Sequence, residues 1–274
     1  MKHTKQQNWI LYIPLILIAI FMLFPVLWVV SSSLKPSGEL FSWPPSIIPQ
    51  NFTLNNYISA FQESNFTRYL FNTVFVTVAA TVLTLVINTM AGYALAKYRF
   101  RGSAVILVFF LSTLMIPLEA LMIPMFIVLK NLGLYNTLWG IIIPPAATPT
   151  GVFLVRQYLM SVPDEMIEAA KIDGASDWKI FIRLILPLAK PILATLTIFS
   201  IMWRWQDYIW PLIAISDSNL YTLELALANF VGQYSVDWGP LLAMAVLTMV
   251  PLIIIFLIFQ RFFIRGIMMT GMKD

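Results

Sequence analysis

Long apolar stretches with few or no charged residues are the feature that most constrains this chain. Trp9–Val30 is uncharged, and five further predominantly apolar stretches follow it. A helix needs about 20 mostly apolar residues to cross the hydrocarbon core of a bilayer. Only 11% of the residues are charged and 59% are hydrophobic, whereas a soluble domain carries roughly 25% charged residues. The chain is therefore predicted to be an all-α integral membrane protein.

Six transmembrane helices are predicted from these stretches. The first exceeds the roughly 7–15 apolar residues of a cleaved signal peptide and no small-residue cleavage site follows it, so it is read as uncleaved. The fifth gives the weakest signal because it contains Lys190, Arg204 and Asp207. The predicted spans are residues 9–30, 69–96, 102–129, 135–155, 188–212 and 238–260.

The distribution of basic residues predicts the orientation. Cytoplasmic segments of membrane proteins are enriched in Lys and Arg. With the N-terminus inside, 13 of the 17 Lys and Arg residues fall in cytoplasmic segments, so both termini are expected in the cytoplasm. The predicted segments are a cytoplasmic N-terminus (1–8), the first span (9–30), an extracytoplasmic loop (31–68), a core of five spans (69–260) with a cytoplasmic loop (157–186), and a cytoplasmic tail (261–274).

The predicted extracytoplasmic loop contains an apolar pattern with helical spacing. Leu54, Tyr57, Ile58 and Phe61 occur at i, i+3, i+4 and i+7, which predicts an amphipathic helix. Two interpretations remain open. The helix lies in the membrane interface, or it packs on the other spans through this stripe.

The cytoplasmic loop predicts a helix–turn–helix. Ser161 is suited to cap its first helix, with Pro163 in the first turn, and Gly174 is suited to end it in a left-handed conformation. Ser176 can cap a second helix, whose apolar stripe is predicted to comprise Trp178, Phe181, Ile182, Ile185 and Leu186.

This helix–turn–helix has the chemistry of a docking element. Ala169 and Ala170 are small enough for another surface to approach closely, and Glu168 offers a carboxylate to a basic residue of a partner. A solvated loop without a partner fits the same pattern equally well.

The residues of this loop resemble a known motif. Glu168-Ala169-Ala170 is followed by Asp173-Gly174-Ala175, and the pattern continues with Phe181, Pro187 and Pro191. It is similar to the EAA motif of binding-protein-dependent ABC importer permeases. The stretch Trp203-x-Trp205-x-Asp207-Tyr-x-Trp210-Pro211-Leu212 resembles carbohydrate-uptake permeases of the maltose-permease type, the shorter of their two permease subunits. Together with matches such as Asn51-Phe-Thr-Leu-x-Asn-Tyr57 and Met115-Ile-Pro117, the resemblance covers nearly the whole chain.

The resemblance implies a type I ABC importer permease in a bacterial or archaeal plasma membrane. Its partners would be a second permease subunit, making a heterodimer, two cytoplasmic ATPase subunits and an extracytoplasmic substrate-binding protein. The ATPase subunits would use ATP and Mg²⁺, and this chain would bind no cofactor. The tail Arg265–Asp274 would reach toward the ATPase dimer. The residues implied in ATPase coupling are Glu168, Ala169, Ala170, Asp173, Gly174, Ala175 and Phe181.

The sequence independently excludes several enzymatic functions. It contains no phosphate-binding loop of the form Gly-x-x-x-x-Gly-Lys-Ser/Thr and no Gly-x-Ser-x-Gly nucleophile elbow. It has no Cys and a single His, so a metal cluster built on these residues is excluded. A net charge of +4 is too small to indicate a nucleic-acid-binding protein. The chain is predicted not to be an enzyme, and the energy for transport must come from elsewhere.

Ionisable residues inside spans are functional candidates because burying them in hydrocarbon is costly. Arg204 and Asp207 are three residues apart, so one interpretation is that they neutralise each other. The other places Asp207 and nearby indoles on the path of a sugar, with rings stacking on indole and hydroxyls bonding to the carboxylate. The candidate path residues are Glu119, Trp203, Trp205, Asp207 and Trp210.

Three transport functions fit a chain of this kind to different degrees. An ATP-driven importer of a sugar or oligosaccharide is the leading interpretation, and an importer of glycerol phosphate or another polyol is the alternative within the same family. An ion-coupled secondary transporter would be expected to show internal repeats and several paired ionisable residues at the midplane. The sequence shows no such repeat and offers only Glu119 and Asp207, so this class is disfavoured.

Overall fold

The computed structural model describes residues 8–63, 65–231 and 237–271, and these residues form helices without a β-strand among them. The predicted all-α class is confirmed. Most of the predicted N-terminal segment 1–8 and the end of the predicted tail, residues 272–274, lie outside the described residues.

The helices are α1 (Asn8–Ser33), α2 (Ser37–Leu40), α3 (Asn55–Glu63), α4 (Phe66–Lys97), α5 (Ser103–Thr113), α6 (Leu118–Asn131), α7 (Leu138–Ile142), α8 (Pro149–Leu159), α9 (Asp164–Ile172), α10 (Asp177–Ile180), α11 (Leu186–Leu188), α12 (Lys190–Trp205), α13 (Ile209–Ala214), α14 (Leu223–Val231) and α15 (Trp238–Gly271).

Six stretches of the described chain are suited to cross a membrane. Three are single helices: residues 12–33 of α1, all of α4, and residues 238–260 of α15. Three more are helix pairs bent at a short break, by 109° between α5 and α6, by 43° between residues 138–146 and α8, and by 76° between residues 177–188 and α12. With each bent pair counted as one span, the described residues contain six spans in the predicted order.

The breaks within the bent pairs lie at prolines. α6 starts directly after Pro117, α8 starts with Pro149, and Pro191 lies in the first turn of α12. Proline has no backbone N–H and clashes with the preceding turn, so it is tolerated at a helix start but interrupts a helix interior. The prolines therefore account for the three bent spans.

The fifth span differs from its predicted limits of 188–212. Its helix α12 ends at Trp205, and a separate helix, α13, begins at Ile209. Between them, the carboxylate of Asp207 accepts the backbone N–H of Trp210 at 3.2 Å. Asp207 therefore satisfies an N–H at the start of α13, which hydropathy could not distinguish from a continuing span.

The described chain divides into two compact units. The first contains residues up to 67 together with 227–251, and the second contains residues 68–226 together with 252–271. In the first unit, Glu39 organises the connection between α2 and α3. Its carboxylate accepts the backbone N–H groups of Gln50 and Asn51, at 2.8 and 3.0 Å, and the hydroxyl of Ser46 at 3.0 Å. These hydrogen bonds, the one from Gln50 first, hold the pKa of the Glu39 carboxyl below its usual value.

Helix α3 forms where the apolar spacing predicts an amphipathic helix. Its buried side chains are not those of the predicted stripe, because Asn56 and Ala60 face the interior of the first unit. Leu54, Ile58 and Phe61 are about half exposed. The stripe nevertheless contacts two spans: the hydroxyl of Tyr57 lies 2.7 Å from that of Ser33 on α1, and the ring of Phe61 lies 5.0 Å from that of Phe66 on α4. It is therefore partly packed on spans and partly open.

The second unit has a core that joins α4 to α8 and α12. Gly92 lies so close to α8 that a Cβ atom built on it would be 2.7 Å from Cγ1 of Val155. One turn earlier, the amide of Asn88 donates to the hydroxyl of Thr148 at 2.7 Å and its oxygen accepts the N–H of Thr148 at 3.1 Å. These contacts hold α8 against α4 from its N-cap at Thr148 to Val155, and the next segment leaves from the C-terminal end of α8.

Candidate functional site

The segment of residues 163–185 begins with helix α9. Pro163 precedes the helix in an extended conformation, and Asp164 and Glu165 occupy its first turn, where negative charge complements the helix dipole. The predicted cap by Ser161 is wrong. Its hydroxyl donates to the carbonyl of Tyr158 at 2.7 Å and does not reach α9.

The turn after α9 agrees with the prediction. Gly174 has a φ of +76°, and its N–H donates to the carbonyl of Lys171 while that of Ala175 donates to Ala170, both at 3.0 Å. This is the arrangement by which a left-handed glycine ends a helix. Ser176 then caps α10 by accepting the N–H of Lys179 at 3.4 Å.

The residues implied in coupling divide into exposed and buried ones. Four are exposed, two are partly buried and one is in the core. The exposed residues are Glu168, Ala169, Asp173 and Gly174; the partly buried ones are Ala170 and Ala175; the core residue is Phe181. The ring of Phe181 lies 5.6 Å from that of Tyr93 on α4, so Phe181 anchors the buried side of the segment to α4.

The apolar stripe after Ser176 has a different register from the predicted one. Ile180, Phe181 and Ile185 are buried, whereas Trp178 and Ile182 are 61% and 54% exposed. Residues Phe181–Ile185 form a π-helical turn, in which side chains five apart share a face. The predicted stripe assumed α-helical spacing and is therefore wrong for these two residues.

Ile172 is an exposed apolar residue that sequence reasoning missed. Its side chain is 87% exposed at the end of α9, next to Asp173. An isolated isoleucine between Lys171 and Asp173 carries no periodicity signal, so its exposure was visible only in the fold. With Met166 and Trp178, it gives the exposed side of the segment an apolar component.

Lys97 ties the 163–185 segment to the end of α4. Its ammonium lies 2.6 Å from the Asp164 carboxylate and also donates to the carbonyl of Val162. The Lys97 side chain is only 5% exposed, and its hydrogen bond holds the pKa of the Asp164 carboxyl below its usual value. The sequence identified Lys97 only as a marker of orientation.

Tyr98 adds a second link between the end of α4 and the segment. The Lys171 ammonium lies 5.9 Å from the centre of its ring and 4.0 Å from the Asp177 carboxylate. Burial, and to a lesser extent a hydrogen bond with Asp177, raise the pKa of the Tyr98 phenol. The start of α9 thus contacts the last residue of α4, and its end contacts the residue that follows α4.

The candidate path residues occupy different environments. Glu119 is exposed in the first turn of α6. Trp205 and Trp210 are buried, and the indole N–H of Trp210 donates to the carbonyl of Gly140 at 3.1 Å. Trp203 is 45% exposed and stacks on Phe199 with ring centres 5.7 Å apart. Burial favours a packing role for Trp205 and Trp210, which leaves Trp203 as the indole with an accessible surface.

Arg204 and Asp207 do not form the predicted ion pair. The salt bridges within the described residues join Lys97 to Asp164 and Lys171 to Asp177. The buried Arg204 guanidinium instead donates to the carbonyl of Pro145, at the break between α7 and α8. A broken helix leaves carbonyls without intrahelical partners, and this cation satisfies one of them.

Comparison with known proteins identifies the family. Residues 88–269, which include the whole 163–185 segment, match the family described as "Binding-protein-dependent transport system inner membrane component". The chain belongs to this family. The family that the resemblance indicated is thereby confirmed: the protein is a permease subunit of an ABC importer, a non-catalytic membrane component.

Relatives of this permease span its whole length. It is 37% identical over 275 residues to the arabinooligosaccharides transport system permease protein AraQ of Halalkalibacterium halodurans, covering 99% of both chains. It is 29% identical over 278 residues to the sn-glycerol-3-phosphate transport system permease protein UgpE of Brucella abortus, covering 98% of this chain and 99% of the relative.

A solved structure confirms the fold of the permease. A chain of a bacterial ABC transporter involved in the import of the acidic polysaccharide alginate superposes with a TM-score of 0.86 and 26% identity. The superposition covers 96% of this permease and 98% of that chain. The prediction of a type I importer permease fold is therefore confirmed.

Replacing Gly174 tests the turn of the permease. A Cβ at this position would meet no atom within 4 Å, so the cost of Gly174→Ala comes from the positive φ, about 1 kcal/mol. Gly174→Asn should cost less because Asn tolerates this conformation. Thermal unfolding of the purified permease complex measures the difference. Gly38→Ala, also free of contacts and without a positive φ, is the control. Equal effects of Ala and Asn at position 174 would contradict the assigned conformation.

Replacing Lys97 tests the link to α4. In Lys97→Met, backbone amides of α9 should exchange hydrogen roughly ten-fold faster, because a charge-assisted hydrogen bond is lost. In the wild type, the same link is present above the ordinary pKa of a free aspartate and is lost as pH falls through the lowered pKa of Asp164. After correction for the intrinsic effect of pH, hydrogen exchange in α9 of the wild type should therefore become faster as the pH falls. In Lys97→Met the corrected rates should not change with pH. Unchanged protection of α9 in Lys97→Met would refute the link.

Proposed function

We propose that this permease carries a sugar or oligosaccharide into the cytoplasm by alternating access, driven by ATP hydrolysis in partner subunits that dock on the 163–185 segment. The main support for this proposal is that the segment has an exposed side, with Glu168, Asp173 and Ile172, and a buried side that packs on α4. A segment exposed on one side and fixed on the other can transmit the movement of a partner into the spans.

The exposed side has the composition of a small protein interface. Glu168 can pair with a basic residue of an ATPase, and Ala169 allows the two backbones to approach. Ile172, 87% exposed, can fill an apolar pocket, and a buried apolar anchor ringed by polar contacts is typical of binding hot spots. Coupling is thus assigned to Glu168, Ala169, Ala170, Asp173, Gly174 and Ala175, with Ile172 as an addition, and Phe181 as a support beneath them.

The assembly follows from the family and from the charge distribution. We infer that both termini and the 163–185 segment face the cytoplasm, that residues 69–260 form the transport core, and that residues 31–68 face outward. Two ATPase subunits, with ATP and Mg²⁺, a second permease as heterodimer partner and an external substrate-binding protein complete the importer. The tail from Arg265 is assigned to the ATPase side. Because the chain belongs to a binding-protein-dependent family, the ion-coupled alternative has no support.

A sugar is the favoured substrate. AraQ is named for arabinooligosaccharides, and the superposed importer takes up alginate, an acidic polysaccharide. Trp203 offers a partly exposed indole for stacking on a sugar ring. Glycerol phosphate or another polyol is the second candidate because UgpE is named for sn-glycerol-3-phosphate.

The substrate class is tested with the cognate binding protein and reconstituted importer. A panel of neutral oligosaccharides, uronate oligosaccharides and glycerol 3-phosphate is screened by thermal shift of the binding protein, and the best ligand is then tested for ATP-dependent uptake. We expect an oligosaccharide to stabilise the binding protein and to be taken up. Binding and uptake of glycerol 3-phosphate alone would favour the second candidate, and uptake by the permease without an ATPase would overturn both.

Charge reversal at Glu168 tests the coupling surface. Glu168→Lys should reduce ATP-dependent uptake roughly ten-fold or more, because reversing one partner of a charge-assisted contact costs at least about 1.4 kcal/mol. ATPase subunits should co-purify less well with this variant. Glu165→Lys, the same charge change one turn earlier on α9, is the matched control and should stay within about two-fold of the wild type in uptake, as expected for a surface charge. An equal loss in both variants would show a general charge effect and contradict the assignment.

A further inference from the structure

The first unit exposes an unusual number of large apolar side chains between α1 and α4. Trp43 is 91% exposed and Ile48 is 77% exposed, and Phe41 and Ile47 are also open to the surroundings. On α3, Ile58 and Phe61 continue this surface. A soluble surface seldom gathers apolar groups in this way unless they contact a partner or a membrane.

This surface is held in a fixed shape. Glu39 holds the backbone of Gln50 and Asn51 from inside the loop. The N–H of Thr53 donates to the carbonyl of Leu34 at 2.9 Å, which closes the loop at its base. The apolar side chains therefore project from an ordered scaffold, as pre-organised contact groups do.

Contacts within the first unit place the surface at the ends of two membrane-crossing helices. The hydroxyl of Ser31, in the last turn of α1, donates to the carbonyl of Ile47. The ring of Phe41 lies 6.3 Å from that of Trp238, the first residue of α15. The hydroxyls of Tyr57 on α3 and Ser33 on α1 are 2.7 Å apart. Contacts of Phe41, Ile47 and Tyr57 thus tie this surface to the last turn of α1 and to the first residue of α15.

The low charge content of this region indicates whether the exposed apolar surface contacts lipid or a partner protein. Between residues 36 and 62 the only charged residue is Glu39, and its carboxylate is occupied by backbone and hydroxyl donors. A protein-docking surface carries a polar, often charged rim around its apolar centre. The membrane interface instead favours exposed Trp, Tyr and apolar side chains without charge.

We propose that residues 36–62 form an interfacial collar that lies in the headgroup region of the leaflet at the C-terminal end of α1, with Trp43 and the exposed stripe of α3 inserted toward the acyl chains. The apolar surface of α1, with Phe24 and Leu27 exposed, leads directly into it. The collar fixes the depth of α1 and α15 in the bilayer. It depends on the membrane location of the permease and not on which substrate is carried.

The chain contains no Cys, so single cysteines can be labelled without background. Trp43→Cys and Ile58→Cys are labelled with the environment-sensitive fluorophore NBD in the complete importer reconstituted into phosphatidylcholine–phosphatidylglycerol vesicles. Asn55→Cys is the control on the same helix, because Asn55 is polar and exposed and lies about 60° around the helix axis from Ile58, at the edge of the apolar stripe. Lipids carrying a nitroxide at acyl carbon 5 or 12 serve as quenchers.

We expect blue-shifted emission at positions 43 and 58 and quenching several-fold stronger than at position 55, greater for carbon 5 than for carbon 12. Adding the binding protein should leave this quenching unchanged. Equal, weak quenching at all three positions would overturn the collar. A spectral change at positions 43 and 58 only when the binding protein is added would also overturn it and would assign the surface to protein docking. Because the readout needs neither transport nor ATP, its failure is distinguishable from a wrong substrate class.

Discussion

The need to satisfy every backbone N–H and C=O group in a medium without water is the constraint on which this structure depends. In hydrocarbon each unpaired group costs several kcal/mol, so a span is helical and every break in it needs a compensating donor or acceptor. The break in the fourth span, between α7 and α8, shows this compensation twice. Arg204 donates to the carbonyl of Pro145, and Asn88 binds both the hydroxyl and the N–H of Thr148.

Helix α4 connects this compensated break with the 163–185 segment. Its polar side chains reach the interrupted fourth span through Asn88 and the fifth span through Thr81, whose hydroxyl lies 3.0 Å from that of Ser200. At its end, Lys97 holds Asp164 and the preceding carbonyl of Val162. One helix therefore contacts the fourth span, the fifth span and the start of α9, and under the proposed coupling role it links their movements.

The sequence predicts the features that have strong local causes. Apolar length predicts the spans, prolines account for their breaks, and Gly174 and Ser176 mark the turn after α9, because each of these acts within a few residues. What depends on another helix was not predictable. The π-helical turn at Phe181–Ile185 changes which side chains are buried. The donor to Pro145 and the partner of Asp164 are set by residues 59 and 67 positions away, and no pattern in one sequence encodes them.

Under the proposed function, the exposed and buried sides of the 163–185 segment offer a route by which a push from an ATPase subunit would reach the spans. A force on Glu168 or Ile172 acts on α9, which is fixed to α4 by the Lys97–Asp164 pair and by Ile167 in the core. The same core contains Phe181 and Ile185, which continue through α11 into α12. Packed interiors transmit displacement because they are hard to compress. Under the proposed coupling role, movement of the segment would shift α4 and α12 together, whereas a segment linked only by flexible loops would absorb it.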